Sequence, residues 1–411
     1  MQASPANPPC EAHTAALPAI SRSQSRSLPL SAMTLFGFSG AILISASSSA
    51  VTPLYRLYQE SMHLTPFWIT VVFATYVASL LVALLTVGGL SDYVGRRPVI
   101  LVALLLNAAA MILFAEARDV GQLILARAVQ GLCVGTGTTA LGAAILDTNR
   151  ARGPLLNSVT PFLGLTAGSL GAAALITFAP DPLHRVYEVL LGLTALMIAL
   201  LWIMPESTPR KAGALASLRP HVSVPAQSRS ILVKLTPANI AAWALGGLYL
   251  SLMPTIVATA MGVHSPWTGG VVVSALMLTA AIAVAAFRDW PARRLILMGT
   301  STLPLGVAVS MVGIQQQQVA ALLAGTVIAG AGFGTTFSGT LRALLPTAEP
   351  DQRAGLLSAF YVQSYLAFSL PAVAAGLSVP LIGLSTAAYL YGAVIILLAV
   401  ISMIASLWTD R

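Results

Sequence analysis

Twelve stretches of apolar, uncharged residues run along this chain, separated by charged or Pro- and Gly-rich breaks. A helix of about 20 such residues crosses a bilayer core about 30 Å thick. The spans fall at 31–53, 66–90, 98–115, 120–146, 154–179, 187–204, 237–260, 266–287, 295–313, 319–345, 355–379 and 383–408. One run of this kind can be a buried helix in a large soluble core, but twelve in a single chain cannot all be kept from water. Composition points the same way, because only 8% of residues are charged and 57% are hydrophobic, against about 25% charged in a soluble domain. So few charges cannot cover a water-facing surface. The expected class is an all-α integral membrane protein with 12 transmembrane helices. An ordinary soluble enzyme, a nucleic-acid-binding domain and a disordered chain are excluded.

The net charge of +8 is explained by where the basic residues lie. If residues 1–28 are cytoplasmic, seventeen of the 21 Lys and Arg fall on that side, and only Arg56, Arg118 and Arg185 fall in outside loops. The last, Arg127, lies within the fourth span. Cytoplasmic loops of membrane proteins carry such an excess. The expectation is therefore a multi-pass protein of a bacterial inner membrane with both termini cytoplasmic, its partner the lipid bilayer and not nucleic acid. Residues 1–28 are rich in Pro, Ala and Ser and lack the apolar stretch of a signal peptide, so a flexible cytoplasmic tail is expected there. Cys10 and Cys133 fall in the tail and in mid-membrane, and the five His have no ligand spacing, so no disulfide, metal or cofactor is expected.

The longest polar break, 205–236, has six spans on either side, giving an N-terminal bundle at 29–204, a cytoplasmic linker at 205–236 and a C-terminal bundle at 237–411. A duplication should leave matches at a constant offset. Asp92, Arg96 and Arg97 recur as Asp289, Arg293 and Arg294, and Gly135, Gly137, Thr138, Thr139 and Gly142 recur as Gly332, Gly334, Thr335, Thr336 and Gly339, each 197 positions on. Two pseudo-symmetric six-helix bundles would meet at a central interface, the natural place for a cavity. Small residues there allow close helix approach, and the Thr hydroxyls are expected to face the cavity.

The most specific stretch is 88–100, GGLSDYVGRRPVI. An acid at the end of one helix, a glycine-permitted turn and two Arg can pair with charges and helix termini nearby. The stretch resembles the G-x-L-a-D-r-x-G-r-k signature between helices two and three of the major facilitator superfamily, through Gly88, Leu90, Asp92, Gly95, Arg96 and Arg97, with Tyr93 in place of the usual basic residue. Leu123 to Gly131, LILARAVQG, resembles that family's R-x-x-q-G pattern through Arg127, Gln130 and Gly131. The resemblance implies a twelve-helix secondary transporter working by alternating access. It further implies that Asp147 pairs with Arg96, so that Asp92, Arg96, Arg97 and Asp147, with Gly88 and Gly95, form a gating network. In the outward-open state Asp92 would approach Ala354 and Gly355 at the start of helix eleven. Gly164 to Gly171 resembles the glycine-rich antiporter motif of drug-efflux members, but Ser169 replaces its proline.

An Arg inside an apolar helix costs at least about 2.5–3.5 kcal/mol on insertion scales, so Arg127 is expected to face a polar interior unless it snorkels outward past Asp119. With Gln130 it is the candidate coupling or substrate site. Further cavity candidates are Thr138, Thr139, Asn157, Asn239, Trp243, Thr335, Thr336, Tyr361, Gln363 and Tyr365, and Ser45, Ser48, Ser49 and Thr52 in helix one. For each of these an interhelical hydrogen bond is the competing role. Lys211 and Lys234 fit no phosphate-cradling loop, so ATP does not power the protein. No convergent acid, base or metal cluster suggests an enzyme.

None of the 13 Asp and Glu lies at mid-span. If protons are coupled, a rim acid such as Glu60, Asp147 or Glu188 titrates. The leading expectation is a monomeric, proton-coupled exporter of small organic molecules. The alternatives are an uptake symporter for an organic anion or other metabolite, and a non-transporting sensor of the same fold.

Overall fold

A computed structural model describes residues 29–263 and 265–408, so the expected tail at 1–28, with Cys10, lies outside the described residues. The chain folds into α1 (Leu30–Met62), α2 (Pro66–Val87), α3 (Ser91–Val94), α4 (Arg96–Ala115), α5 (Val120–Thr148), α6 (Gly153–Phe178), α7 (Pro182–Leu201), α8 (Ala214–Ser217), α9 (Ala226–Ser251), α10 (Met253–Thr259), α11 (Pro266–Ala286), α12 (Ala292–Gln315), α13 (Val319–Leu344), α14 (Arg353–Ile382) and α15 (Leu384–Trp408). Twelve of these helices are long and apolar enough to cross a membrane. Their outward faces are Leu, Ile, Val and Phe, with Leu35 67%, Phe178 81% and Leu397 59% exposed. Such a surface requires hydrocarbon around it.

Local chemistry sets the helix starts. Pro at the first helical position opens α2, α7 and α11, where its missing N–H would be unpaired in any case. The Asp119 carboxylate caps α5 by accepting from the Gln122 N–H at 2.9 Å. Prolines inside the apolar runs can kink a helix, but Pro161, Pro304 and Pro371 lie within unbroken helices, and only beside Pro254 does one break, α9 stopping at Ser251 and α10 starting at Met253. The polar break is shorter than the sequence suggests, because α9 begins at Ala226.

In the first half α1 packs on α5 and α6, and α2 and α4 pack on α5. In the second α13 packs on α11 and α12, and α9 on α14 and α15. The halves meet along α6 against α11 and α2 against α14. The helix connections put the 88–97 loop at one end of the molecule, the near end. At the opposite, far end the halves are in direct contact: Gly270 lies against Ala173, Gly376 against Thr70, and the Thr255 hydroxyl donates to Gln59 Oε1 at 3.1 Å. At the near end the connecting segment is pinned to both halves, Lys211 N–H donating to the Tyr93 carbonyl at 2.8 Å and Ser223 N–H to the Gly355 carbonyl at 3.3 Å.

The duplicated motif is real in its packing but out of register with the offset of 197. A side chain at Gly131 would overlap the Tyr76 carbonyl of α2, and one at Gly135 would reach the Leu80 carbonyl at 2.5 Å. In the second half those places belong to Gly330, against the Leu276 carbonyl at 2.6 Å, and Gly334, against the Ala280 carbonyl. Gly131 and Gly135 thus correspond to Gly330 and Gly334, 199 positions on. The pairing of Gly135 with Gly332 fails because Gly332 faces Leu303 of α12.

Candidate functional site

At the near end, Gly95 joins α3 to α4 with φ +99, a left-handed conformation that suits glycine. A side chain there would also meet the Glu206 carboxylate, its Oε2 at 2.7 Å. The freed space lets Glu206 accept from the Arg96 and Arg97 backbone N–H groups at 2.8 and 3.1 Å, so a carboxylate sits at the positive start of α4. The Arg96 guanidinium turns inward, bonding Asp92 at 2.5 Å, Asp147 at 2.9 Å and the Ser91 hydroxyl at 2.7 Å. Thr208 donates to the same Asp147 oxygen at 2.9 Å. Arg97 bonds the Trp202 carbonyl at 3.0 Å. Gly88 has ordinary helical geometry and lies against Thr139 across the α2–α5 seam. Asp92 is paired with Arg96, and what abuts Gly355 in this conformation is Ser223 and His221 of the connecting segment. Sequence reasoning missed Glu206; it is the first acid after the sixth span.

Midway between the ends, a cavity of about 130 Å³ lies between the two halves. From the first half Ser45, Ser48, Ser49, Thr52, Phe73, Tyr76, Arg127, Val134, Thr138, Pro161, Phe162 and Leu165 line it; the second contributes Trp243, Leu250, Met277, Phe333, Phe337, Tyr365 and Phe368. Its volume is below the roughly 300–1,000 Å³ of typical ligand sites, so a ligand requires the halves to part. Phe162 meets Phe333 and Phe337 edge-on, at 5.4 and 5.8 Å between ring centroids, bridging the halves. Trp243 touches Phe337, Tyr365 and Phe368.

Arg127 is 1% exposed, so it does not snorkel. Its guanidinium donates to the Ser48 carbonyl at 3.0 Å, to Gln130 Oε1 at 2.5 Å and to the Tyr55 hydroxyl, and it lies 5.1 to 5.9 Å from the ring centroids of Tyr76, Tyr55 and Phe114. No carboxylate pairs with it among the described residues. Its Nε and the Trp243 indole Nε1 are buried and have no hydrogen-bond partner. Gln130 is not on the cavity wall: its amide donates to the Ser47 carbonyl at 2.9 Å and holds Arg127 in place.

Several expected cavity residues belong to helix seams instead. Thr139 bonds the Gly135 and Thr136 carbonyls, and Asn157 donates to the Gly142 carbonyl at 3.0 Å between α5 and α6. Asn239 donates to Gln363 and Ser364 at 3.1 and 2.9 Å, and Gln363 donates to Thr236, tying α9 to α14. Thr335 is bonded within its own helix, Thr336 lies against Gly299 of α12, and Tyr361 stacks on Tyr365 behind the wall. Only Thr138, Trp243, Tyr365 and Arg127 of the named candidates line the cavity, with the four helix-one hydroxyls. Polar residues in lipid satisfy themselves on neighbouring helices first, which is why the competing role prevailed. Sequence reasoning missed Phe73, Tyr76, Phe162, Phe333, Phe337 and Phe368. The helical spacing of Phe73 with Tyr76, and of Phe333 with Phe337, was the available signal.

Residues 37–365 match the model of the Major Facilitator Superfamily. The chain belongs to that superfamily. Among curated relatives, this superfamily member is 24% identical over 286 residues to the multidrug resistance protein MdtL of Klebsiella pneumoniae strain 342, covering 66% of this chain and 71% of that protein. It is 26% identical over 149 residues to the MdtL of Vibrio parahaemolyticus, covering 35% and 37%. Among solved structures it resembles the inward-open xylose transporter XylE of E. coli with a TM-score of 0.74 at 14% identity, covering 91% of this chain and 95% of that one. A bacterial homologue of the human lysosomal transporter Spinster, inward-facing and unoccupied, gives 0.73 at 14% identity, covering 93% and 98%. These likenesses place the fold as two six-helix bundles, and membership indicates a multi-pass membrane protein that transports small molecules.

Proposed function

We propose that this protein exports small, mainly aromatic organic molecules across the inner membrane by alternating access, with protons as the coupling ion. The observation that carries the reading is the aromatic cavity between two halves that touch directly at the far end. A pocket shared by two rigid bundles changes its access when one rocks against the other. The sequence relatives named as multidrug resistance proteins support the outward direction. With the basic residues inside, the near end is cytoplasmic and the Asp92, Arg96, Arg97 and Asp147 cluster is the inner gate, its turn permitted by Gly95 and its helix seam by Gly88. Asp147 is the least exposed of the ion-paired carboxylates, its side chain at 30%. Neutralising it, as Asp147→Asn does, would remove one of the two charges holding Arg96, which makes it the rim acid best placed to link coupling to the gate.

Everted membrane vesicles test the reading. An added aromatic amphiphile should accumulate in the lumen in exchange for protons leaving it, collapsing an imposed acid-inside gradient, and Asp147→Asn should uncouple the two. If no tested compound accumulates, the export reading falls. A second reading, uptake of an organic anion, is favoured by the uncompensated Arg127, and right-side-out vesicles that accumulate such an anion would establish it.

A further inference from the structure

We infer that the cavity selects monoanionic aromatic molecules, a carboxylate or sulfonate on an apolar ring body, with the acid group held by Arg127. This rests on the transport reading and adds the charge class of the cargo. Of the five N–H groups on a guanidinium, Arg127 commits three, all to neutral acceptors, and its Nε is unpartnered. The other unpartnered cavity-lining donor is the Trp243 indole N–H, on the opposite half. Both groups can only donate, so the ligand must supply acceptors. The positive charge is solvated by one carbonyl, one amide oxygen, one hydroxyl and aromatic faces.

These dipoles make the cation tolerable when the site is empty but leave its charge uncancelled, so an entering anion gains a charge-assisted, bidentate-capable partner. A cation would meet the same charge in a low-dielectric wall and be repelled. A dianion would bring one charge more than the wall can match. The remaining wall is aromatic and aliphatic, which sets the body of the ligand. The ion-paired carboxylates all lie near helix ends or in loops, with side chains 30% to 86% exposed. They leave the anionic role at Arg127 to the cargo.

The test uses three compounds of one shape, 2-naphthalenesulfonate, 2-naphthylmethanol and 2-naphthylmethylammonium, titrated against the full-length protein in lipid nanodiscs. The sulfonate should bind about tenfold or more tightly than the alcohol, and the ammonium weakest. Arg127→Gln should bring the sulfonate down to the level of the alcohol. Arg127→Lys should keep part of the preference. If Arg127→Gln does not fold, the ranking on the native protein still decides. Equal or tighter binding of the ammonium, a full sulfonate preference in Arg127→Gln, or no sulfonate binding at millimolar concentration would each overturn the inference. Everted vesicles separate the two readings. Transport of alcohol and ammonium without an anion preference keeps export and sinks the charge selection. Anion-selective binding with no transport of any member upholds the site and sinks export.

Discussion

The pairs at the near end differ in what their loss should do. Arg96 is almost fully buried and binds two acids, so removing either leaves a buried guanidinium short of a partner. Breaking a buried pair costs about 3–5 kcal/mol, and a partly exposed one less. Asp147, at 30% side-chain exposure, stands between these cases, and Asp147→Asn should lower stability by roughly 1–2 kcal/mol, read as a fall in thermal midpoint in detergent. Glu206 acts through backbone N–H groups, as helix-capping side chains do. Glu206→Ala should therefore cost about 1 kcal/mol, and Glu206→Gln, which keeps an acceptor oxygen, less than Glu206→Ala in the same melt. Gly95→Ala should exceed both, since it forces a side chain into left-handed backbone and into the Glu206 carboxylate at once.

The glycines of α5 and α13 serve as contact surface, and their helices cross where no side chain intervenes. Gly135 sits on the Leu80 carbonyl and the Ala83 methyl, with Gly334 in the corresponding place on Ala280. Gly135→Val and Gly334→Val should each cost about 1–3 kcal/mol or more from overpacking and reduce the yield of monodisperse protein after extraction. Gly171 is the contrast, with open space around it, and Gly171→Ala should leave the melt unchanged. The sequence match between GTGTT and GFGTT misled because both helices repeat small residues at several spacings. Two residues of slip bring a different glycine to the seam and turn Thr335 and Thr336 away from the cavity. Periodicity shows that a helix has a close-packing face, while the neighbour that fills it decides which residues form that face.

At the scale of the molecule, the proposed alternating-access cycle requires the two halves to part at the far end. A Cβ at Gly376 would lie 3.1 Å from the Thr70 Cβ, close to the roughly 3.5–4.5 Å of a disulfide. The double substitution Thr70→Cys/Gly376→Cys should oxidise readily and stop transport, with activity restored by reductant. Transport that continues in the oxidised protein would show that the far end need not open. The proposed anionic charge of the cargo has an energetic consequence as well. An inside-negative membrane expels an anion, with about 2.3 kcal/mol per elementary charge for each 100 mV. Naphthalenesulfonate uptake into everted vesicles should rise when their interior is made positive, and more steeply than uptake of the neutral alcohol, whose exchange moves only the charge of the proton.

The sequence alone was enough to determine the solvent, the number of crossings and the division into halves, because these follow from the length and charge of apolar runs, and a bilayer admits few alternatives for such runs. The 88–97 loop and the Arg127 helix were legible for a related reason: charge in or beside an apolar helix is costly, so its position is informative on inspection. Which hydroxyls, amides and rings face the cavity was decided only by the tertiary structure. A polar group in hydrocarbon can satisfy itself on any adjoining helix, and Asn157, Asn239 and Gln363 did so. The cavity wall was left to aromatic side chains that carry no such demand. That Arg127 is surrounded by neutral groups is likewise a fact of packing, since nothing along the chain states which residues from α1, α2 and α4 come to rest against α5.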